Sequence, residues 1–185
     1  MPEGGTTAIL LAAGVSRRFG PEDKLLARHR GLPLIAHAAG ALRRMPLGDR
    51  IAVIANPALV PHLDGFRIVT LPPGTQPLQS ASLRAGLGAA GQPERLLIAL
   101  GDMPDITPAH LAELVARTGA DLPAASTDGT AILPPACFPQ AMLPRLAELS
   151  GDRGAATLLK GLPPSQLVLA PALLRDIDRP EDLGP

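Results

Sequence analysis

Four near-continuous apolar runs of strand length constrain this chain most: Thr7 to Ala12 (TAILLA), Arg50 to Ala55 (RIAVIA), Phe66 to Leu71 (FRIVTL) and Arg95 to Leu100 (RLLIAL). A strand with one wet face alternates apolar and polar residues; these runs are apolar on both faces and must be covered on both sides, as in a parallel sheet. Helical stretches lie between and after them, at Pro33 to Arg44, Pro57 to Leu63, Ser80 to Ala90 and Pro108 to Thr118. Proline suits a first helical turn, where its missing donor has no partner to lose. Thr107 reads as the N-cap of the last of these helices and Gly119 as its stop. Strand alternating with helix predicts βαβ units and an open α/β sheet. The second half is less regular. Leu122 to Ser126, Thr130 to Leu133 and Gln166 to Leu169 are weaker strands, and Gln140 to Leu149 and Gly154 to Lys160 read as helical, so the sheet is expected to be mixed at one side. Ligands of such sheets bind at the carboxyl ends of the strands, where strand order reverses.

Composition removes whole classes of function. At 185 residues, 46% hydrophobic and 18% charged, the chain reads as one globular domain over residues 1–185, without repeats or a linker. Lys plus Arg equals Asp plus Glu at 17 each, which leaves no basic excess for a nucleic-acid backbone. Trp and Tyr are absent, so stacking platforms for single strands are missing too. The single Cys137 excludes an internal disulfide or a cysteine-based zinc site. No apolar stretch approaches the ~20 residues of a membrane span and no signal-type segment opens the sequence, which points to a cytoplasmic setting.

Chemistry is expected just after the strong strands. The first is followed by Leu11-Ala-Ala-Gly-Val-Ser-Arg-Arg-Phe-Gly20 and then Lys24. A turn of small residues exposes backbone donors, and Arg17, Arg18 and Lys24 add positive charge: the makings of a polyphosphate cradle. The spacing is neither that of a Walker loop nor that of a dinucleotide fingerprint, and a plain glycine loop with solvated arginines is the competing reading. After the fourth strand, Gly101-Asp102-Met103-Pro104 pins an acid where it could hold a divalent cation, although capping and turn acids are common there. Near the other end, Asp176-Ile-Asp178 precedes Arg179-Pro180-Glu181-Asp182-Leu183; Asp176 and Asp178 share a side in an extended segment, or Asp178 caps a helix. His29, His37, His62 and His110 lack ligand spacing and read as structural or solvated, Cys137 as a small core residue, and Asp121 and Asp128 as turn acids.

Taken in order, LAAGVSRRFG, DKLL, GLPLI, SASLRAGL, LGDMP, LSGDRGA and DIDRPEDL resemble the molybdenum-cofactor cytidylyltransferases. More broadly they resemble the nucleotidyltransferases of one Rossmann-like fold, which include guanylyl and methylerythritol-phosphate cytidylyl enzymes. The resemblance implies a three-layer α/β sandwich with a mostly parallel, partly mixed sheet. It implies transfer of a nucleotidyl group from a nucleoside triphosphate to a phosphate monoester, with release of pyrophosphate and use of Mg²⁺. By position, Leu11, Ala12, Ala13 and Gly14 would wrap base and ribose, and Arg18 and Lys24 would hold the triphosphate. Asp102 and Asp178 would bind the metal, with Asp102 also catalytic and nucleotide-binding, and Ser82, with Ser80 beside it, would contact the nucleotide. Asp152 falls in a loop on the acceptor side.

Departures from the pattern bear on the acceptor. Ser126 to Pro135 (STDGTAILPP) lacks the usual basic, His-containing pattern, Gln79 replaces a smaller residue, and Arg179 stands where Thr is usual. The expected acceptor is molybdopterin, and a molybdoenzyme or its chaperone is the expected protein partner. Ala13 stands where guanylyl-transferring relatives carry glycine; its methyl group narrows the space for a base and favours CTP. Two other readings stay open: a non-catalytic nucleotide-binding partner in molybdoenzyme maturation, and a cytidylyltransferase for methylerythritol phosphate or a sugar phosphate.

Overall fold

The computed structural model describes residues 5–14, 19, 23–75, 78–151 and 154–183. The first apolar run forms β1 (Thr6–Ala12), buried along its whole length. Its side chains alternate between two cores. Ala8, Leu10 and Ala12 join one cluster, Ile9 and Leu11 the other. That double burial is what continuous apolarity demanded.

The other strong runs become β4 (Asp49–Ile54), β5 (Arg67–Thr70) and β6 (Arg95–Leu100). All three lie parallel with β1, in the spatial order β5-β4-β1-β6. A two-residue hairpin, β2 (Arg28–His29) with β3 (Leu32–Pro33), stands apart from this sheet. Its turn puts Arg30 (φ 49°) and Gly31 (φ 82°) in the left-handed region, the geometry of a tight primed turn. The sheet continues beyond β6 through β8 (Ile132–Pro139), β7 (Ala124–Thr127) and β9 (Leu167–Leu169). Among the described residues only β8 runs against the rest, so the sheet of seven strands they form is mostly parallel and mixed at one side, as expected.

Helix α1 (Leu34–Arg43) and α3 (Pro108–Arg117) cover one face; α2 (Gln79–Ala90) and α4 (Leu143–Ala147) cover the other. The three layers are thus in place. At Gly86, an added Cβ would lie 2.9 Å from two Ile9 side-chain carbons and 3.1 Å from Val53 Cγ2, so the missing side chain sets how closely α2 approaches the sheet. No helix among the described residues is long and apolar enough to cross a membrane.

Several boundaries differ from the sequence reading for physical reasons. Pro57–His62 is a 3-10 turn, with Pro61 inside it removing a donor that an α-helix would use. The stretch from Gln140 splits into a 3-10 turn (Gln140–Met142) and the short α4, while Gly154–Leu159 is also 3-10. Thr107 does cap α3, accepting from His110 N at 3.3 Å. Gly119 does not stop it in the left-handed region, because Thr118 ends the helix in an extended conformation. Its hydroxyl donates to Leu114 O at 2.8 Å. The largest difference is β8, which runs to Pro139, well beyond the Thr130 to Leu133 expected.

Candidate active site

From β1 the chain passes to β4 and outward to β5, then returns to β6 on the other side of β1. Strand order therefore reverses between the carboxyl ends of β1 and β6, which is where an open α/β sheet leaves a crevice. Gly101 closes the floor of that point by donating from its backbone to Leu11 O at 3.0 Å. A Cβ on Gly101 would just touch Ala12 Cβ, at 3.4 Å, so the two strand ends lie in close contact here.

Lys24, Asp102 and Asp178 meet at this point. Lys24 opens a 3-10 turn (Lys24–Leu26) capped by Asp23, whose Oδ1 accepts from Leu25 N at 3.0 Å. The other carboxylate oxygen of Asp23 accepts from Asn56 Nδ2 at 2.8 Å, tying the turn to the end of β4. Lys24 Nζ donates to Asp102 Oδ2 at 2.7 Å, to Ile177 O at 3.0 Å and to Asp178 Oδ1 at 3.1 Å. Burial alone would lower the lysine pKa, but the adjacent Asp102 and then Asp178 outweigh it and hold the ammonium above its ordinary 10.5. The segment carrying Asp178 is fastened in turn, since Ile177 N donates to Asp102 O at 3.0 Å and the Ile177 side chain is fully buried. Asp182 reaches back from inside that turn and accepts from the backbone of Asp178 at 3.1 Å and of Arg179 at 2.8 Å. The nearby Asp176 carboxyl is pushed up by burial, with the negative Asp178 and Asp102 adding to the effect.

These residues fit a divalent cation. Asp102 Oδ2 is taken by Lys24, while Asp102 Oδ1 is buried without a hydrogen-bond partner among the described residues, a costly arrangement unless a cation uses it. Mg²⁺ commonly takes one or two carboxylates and completes its shell with water and phosphate oxygens.

The remaining candidates are distributed around the same edge. Leu11 lines an apolar cavity of about 180 Å³ with Gln79, Leu83, Leu100, Pro134 and Phe138, between α2 and the carboxyl ends of β1 and β6. Ala12 faces the opposite core and Ala13 opens onto a second cleft of about 360 Å³, bounded by Ala55, Pro57 and the Leu71 to Thr75 segment. Gly14 is exposed, with nothing within 4 Å of its missing side chain among the described residues. Ser80 and Ser82 are buried near the start of α2. Ser82 Oγ donates back to Leu78 O at 3.5 Å, and Ser80 Oγ has no partner among the described residues. Arg17, Arg18 and Asp152 lie outside the described residues.

Several supporting residues escaped the sequence reading. Asp23 and Asn56 position the lysine turn; an acid directly before Lys-Leu-Leu was the available signal. Asp105 pairs with Arg30 of the hairpin at 2.7 Å and with Arg175 at 3.4 Å, and His29 Nδ1 meets Leu183 O at 2.6 Å. No local pattern marks those contacts. His29, His37 and His110 each make a hydrogen bond within the fold, and Asp128 is a turn acid accepting from Thr130 and Ala131.

Comparison with known proteins agrees with this geometry. A molybdenum cofactor guanylyltransferase of Pseudomonas fluorescens is 37% identical over 109 residues, covering 58% of this chain and 53% of the relative. A 2-C-methyl-D-erythritol 4-phosphate cytidylyltransferase of Dehalococcoides mccartyi is 30% identical over 113 residues, covering 57% and 49%. The chain spans about half the length of these curated relatives. Among solved structures, the Mycobacterium sp. strain JC1 homologue of Mycobacterium tuberculosis rv0371c superposes with a TM-score of 0.82 at 28% identity, covering 97% of this chain and 93% of the other. Rv0371C of Mycobacterium tuberculosis H37Rv, solved in complex with manganese, shares the fold at a TM-score of 0.72 and 24% identity over 89% and 88% of the two chains. The family model for the MobA-like NTP transferase domain matches residues 8–167, and the chain belongs to that family.

Proposed function

We propose that the chain acts as one unit, a nucleotidyltransferase that moves a nucleotidyl group, CMP in preference, from a nucleoside triphosphate to a phosphate monoester. The proposed acceptor is molybdopterin, and a molybdoenzyme or its chaperone would take the product. The observation that carries this reading is the meeting of Lys24, Asp102 and Asp178 at the switch point between β1 and β6. Relatives named for the molybdenum cofactor support the acceptor; relatives of both base preferences leave CTP resting on Ala13.

The reaction needs alignment and charge compensation rather than a protein nucleophile. An acceptor phosphate oxygen attacks the α-phosphorus and forms the new P–O bond. The bond from that phosphorus to the α–β bridging oxygen breaks, and pyrophosphate leaves with the electron pair. Leu11, Ala12, Ala13 and Gly14 hold base and ribose against the turn after β1, with Ser80 and Ser82 on α2 beside it. Arg18 and Lys24 hold the triphosphate in line. Asp102 and Asp178 would hold Mg²⁺, which when bound neutralises charge on the phosphate oxygens.

Pyrophosphate release tests the reading, with each nucleoside triphosphate in turn and with or without molybdopterin. Release from CTP that requires molybdopterin is the expected result. Release that requires methylerythritol phosphate instead would replace the acceptor, and tight CTP binding without release for any acceptor would make the chain a binding partner rather than an enzyme.

A further inference from the structure

Lys24 presents three N–H donors, and the structure gives each an acceptor: Asp102 Oδ2, Asp178 Oδ1 and Ile177 O. An ammonium so saturated has no donor left for a phosphate. Its side chain is only 12% exposed, against 19% for Asp102, so that pairing is sheltered from water, whereas Asp178, 45% exposed, stands open to an arriving ion. Yet Asp102 Oδ1, on the same carboxylate, is buried and finds no partner among the described residues. One monovalent cation thus faces two carboxylates and leaves an oxygen of one of them unserved.

We propose that Lys24 and a divalent cation compete for Asp102 and Asp178, and that the ammonium passes to the triphosphate when the cation takes the carboxylates. The inference rests on the reading of those two acids as metal ligands. Charge and geometry both favour the exchange. Two carboxylates carry −2, a divalent cation matches it, and hard oxygen donors suit such a cation better than one ammonium does. Displaced alone, Lys24 would be a half-buried charge without a partner, which is unfavourable. A triphosphate arriving with the cation supplies the new partner, so neither ligand binds well without the other. The movement is small. Asp23 and Asn56 fix the backbone of the turn, and rotation about the lysine's four-carbon stem is all that the exchange requires.

Mn²⁺ binding to the nucleotide-free full chain, followed by electron paramagnetic resonance, tests this directly. Lys24→Met should bind Mn²⁺ at least tenfold more tightly than wild type, and Lys24→Gln should do so by a smaller factor. Asp102→Asn should lose the site in either background. Affinity in Lys24→Met equal to or weaker than wild type, in protein with an intact thermal transition, would overturn the exchange. If Asp102→Asn leaves Mn²⁺ binding untouched, the metal-ligand reading itself fails. Wild-type protein offers a second readout, because the chain contains just two lysines and Lys160 is exposed. Acylation of Lys24 should run at least tenfold slower than that of Lys160, and saturating Mn²⁺ alone should speed it at least threefold without changing Lys160. A Lys24 rate indifferent to saturating Mn²⁺ would equally defeat the proposal.

Discussion

Asp102 shows how a residue can matter to the site and little to the fold. It stands two residues past the end of β6, and its removal leaves Lys24 still bonded to Asp178 and Ile177 O, so no charge is stranded. Asp102→Ala should therefore keep a thermal midpoint within a few degrees of wild type while losing turnover by at least about 100-fold, the scale of a missing electrostatic contributor. Normal turnover in the folded variant would sink the assignment. Asp178→Asn should lose less, because an amide oxygen still ligates. Ala13 makes a subtler case. It is 3% exposed and its methyl group borders the 360 Å³ cleft beside the ends of β4 and β5. One methyl group typically discriminates by about 1–3 kcal/mol, or tenfold to 200-fold. Ala13→Gly should accordingly move the CTP-over-GTP ratio of kcat/KM toward unity by at least about tenfold. Equal use of both nucleotides by wild type would defeat the steric argument.

At the scale of elements, legibility followed apolar continuity. The runs that became β1, β4 and β6 are long and apolar on both faces, so burial alone identified them. Strand β8 was hidden by Pro134, Pro135 and Pro139, residues that argue against an interior strand. The structure accommodates the first two in a bulge: β7 pairs Ala125 with Ala136 and then Ser126 with Leu133, skipping both prolines. The hairpin of β2 and β3 has two residues in each strand, too few for any period to show. A buried contact locks the bulge to α3. Ser126 donates to Pro135 O at 2.7 Å, and His110 Nε2 lies 2.7 Å from the same hydroxyl oxygen, which assigns the imidazole as donor. Desolvation lowers the His110 pKa below its ordinary 6.5, with Glu113 opposing. Above 6.5 the ring is neutral folded or unfolded and contributes no pH dependence. Below it the unfolded chain takes up a proton that the folded one resists, so stability falls as pH drops toward the lowered native value. The thermal midpoint should decline from pH 7 to pH 5.5, and His110→Gln should flatten that decline. An identical slope in the variant would remove His110 from the account.

Across the whole molecule, the site is assembled from parts no local pattern could join. Lys24 and Asp178 are 154 positions apart, and they meet because Ile177 is buried and hydrogen-bonded to the end of β6. Sequence could nominate each acid and the lysine; only the strand order, reversing between β1 and β6, brings them within 3.1 Å. The same layered burial makes Cys137 a reporter of global opening. It lies in β8 between β6 and β7, fully buried, and desolvation pushes its thiol up to about 12. The thiolate is the reactive form, so at pH 8 the native protein should resist a disulfide reagent such as Ellman's. No strand adjoining β8 can leave without breaking the sheet, and modification should therefore wait for cooperative unfolding. Its rate should rise with urea along a slope matching the equilibrium m-value, since both would report the surface exposed in one transition. A shallower but non-zero slope would show instead that β7, β8 and β9 open as a unit while the parallel half of the sheet stays folded, and a urea-independent reaction would assign the exposure to a local fluctuation.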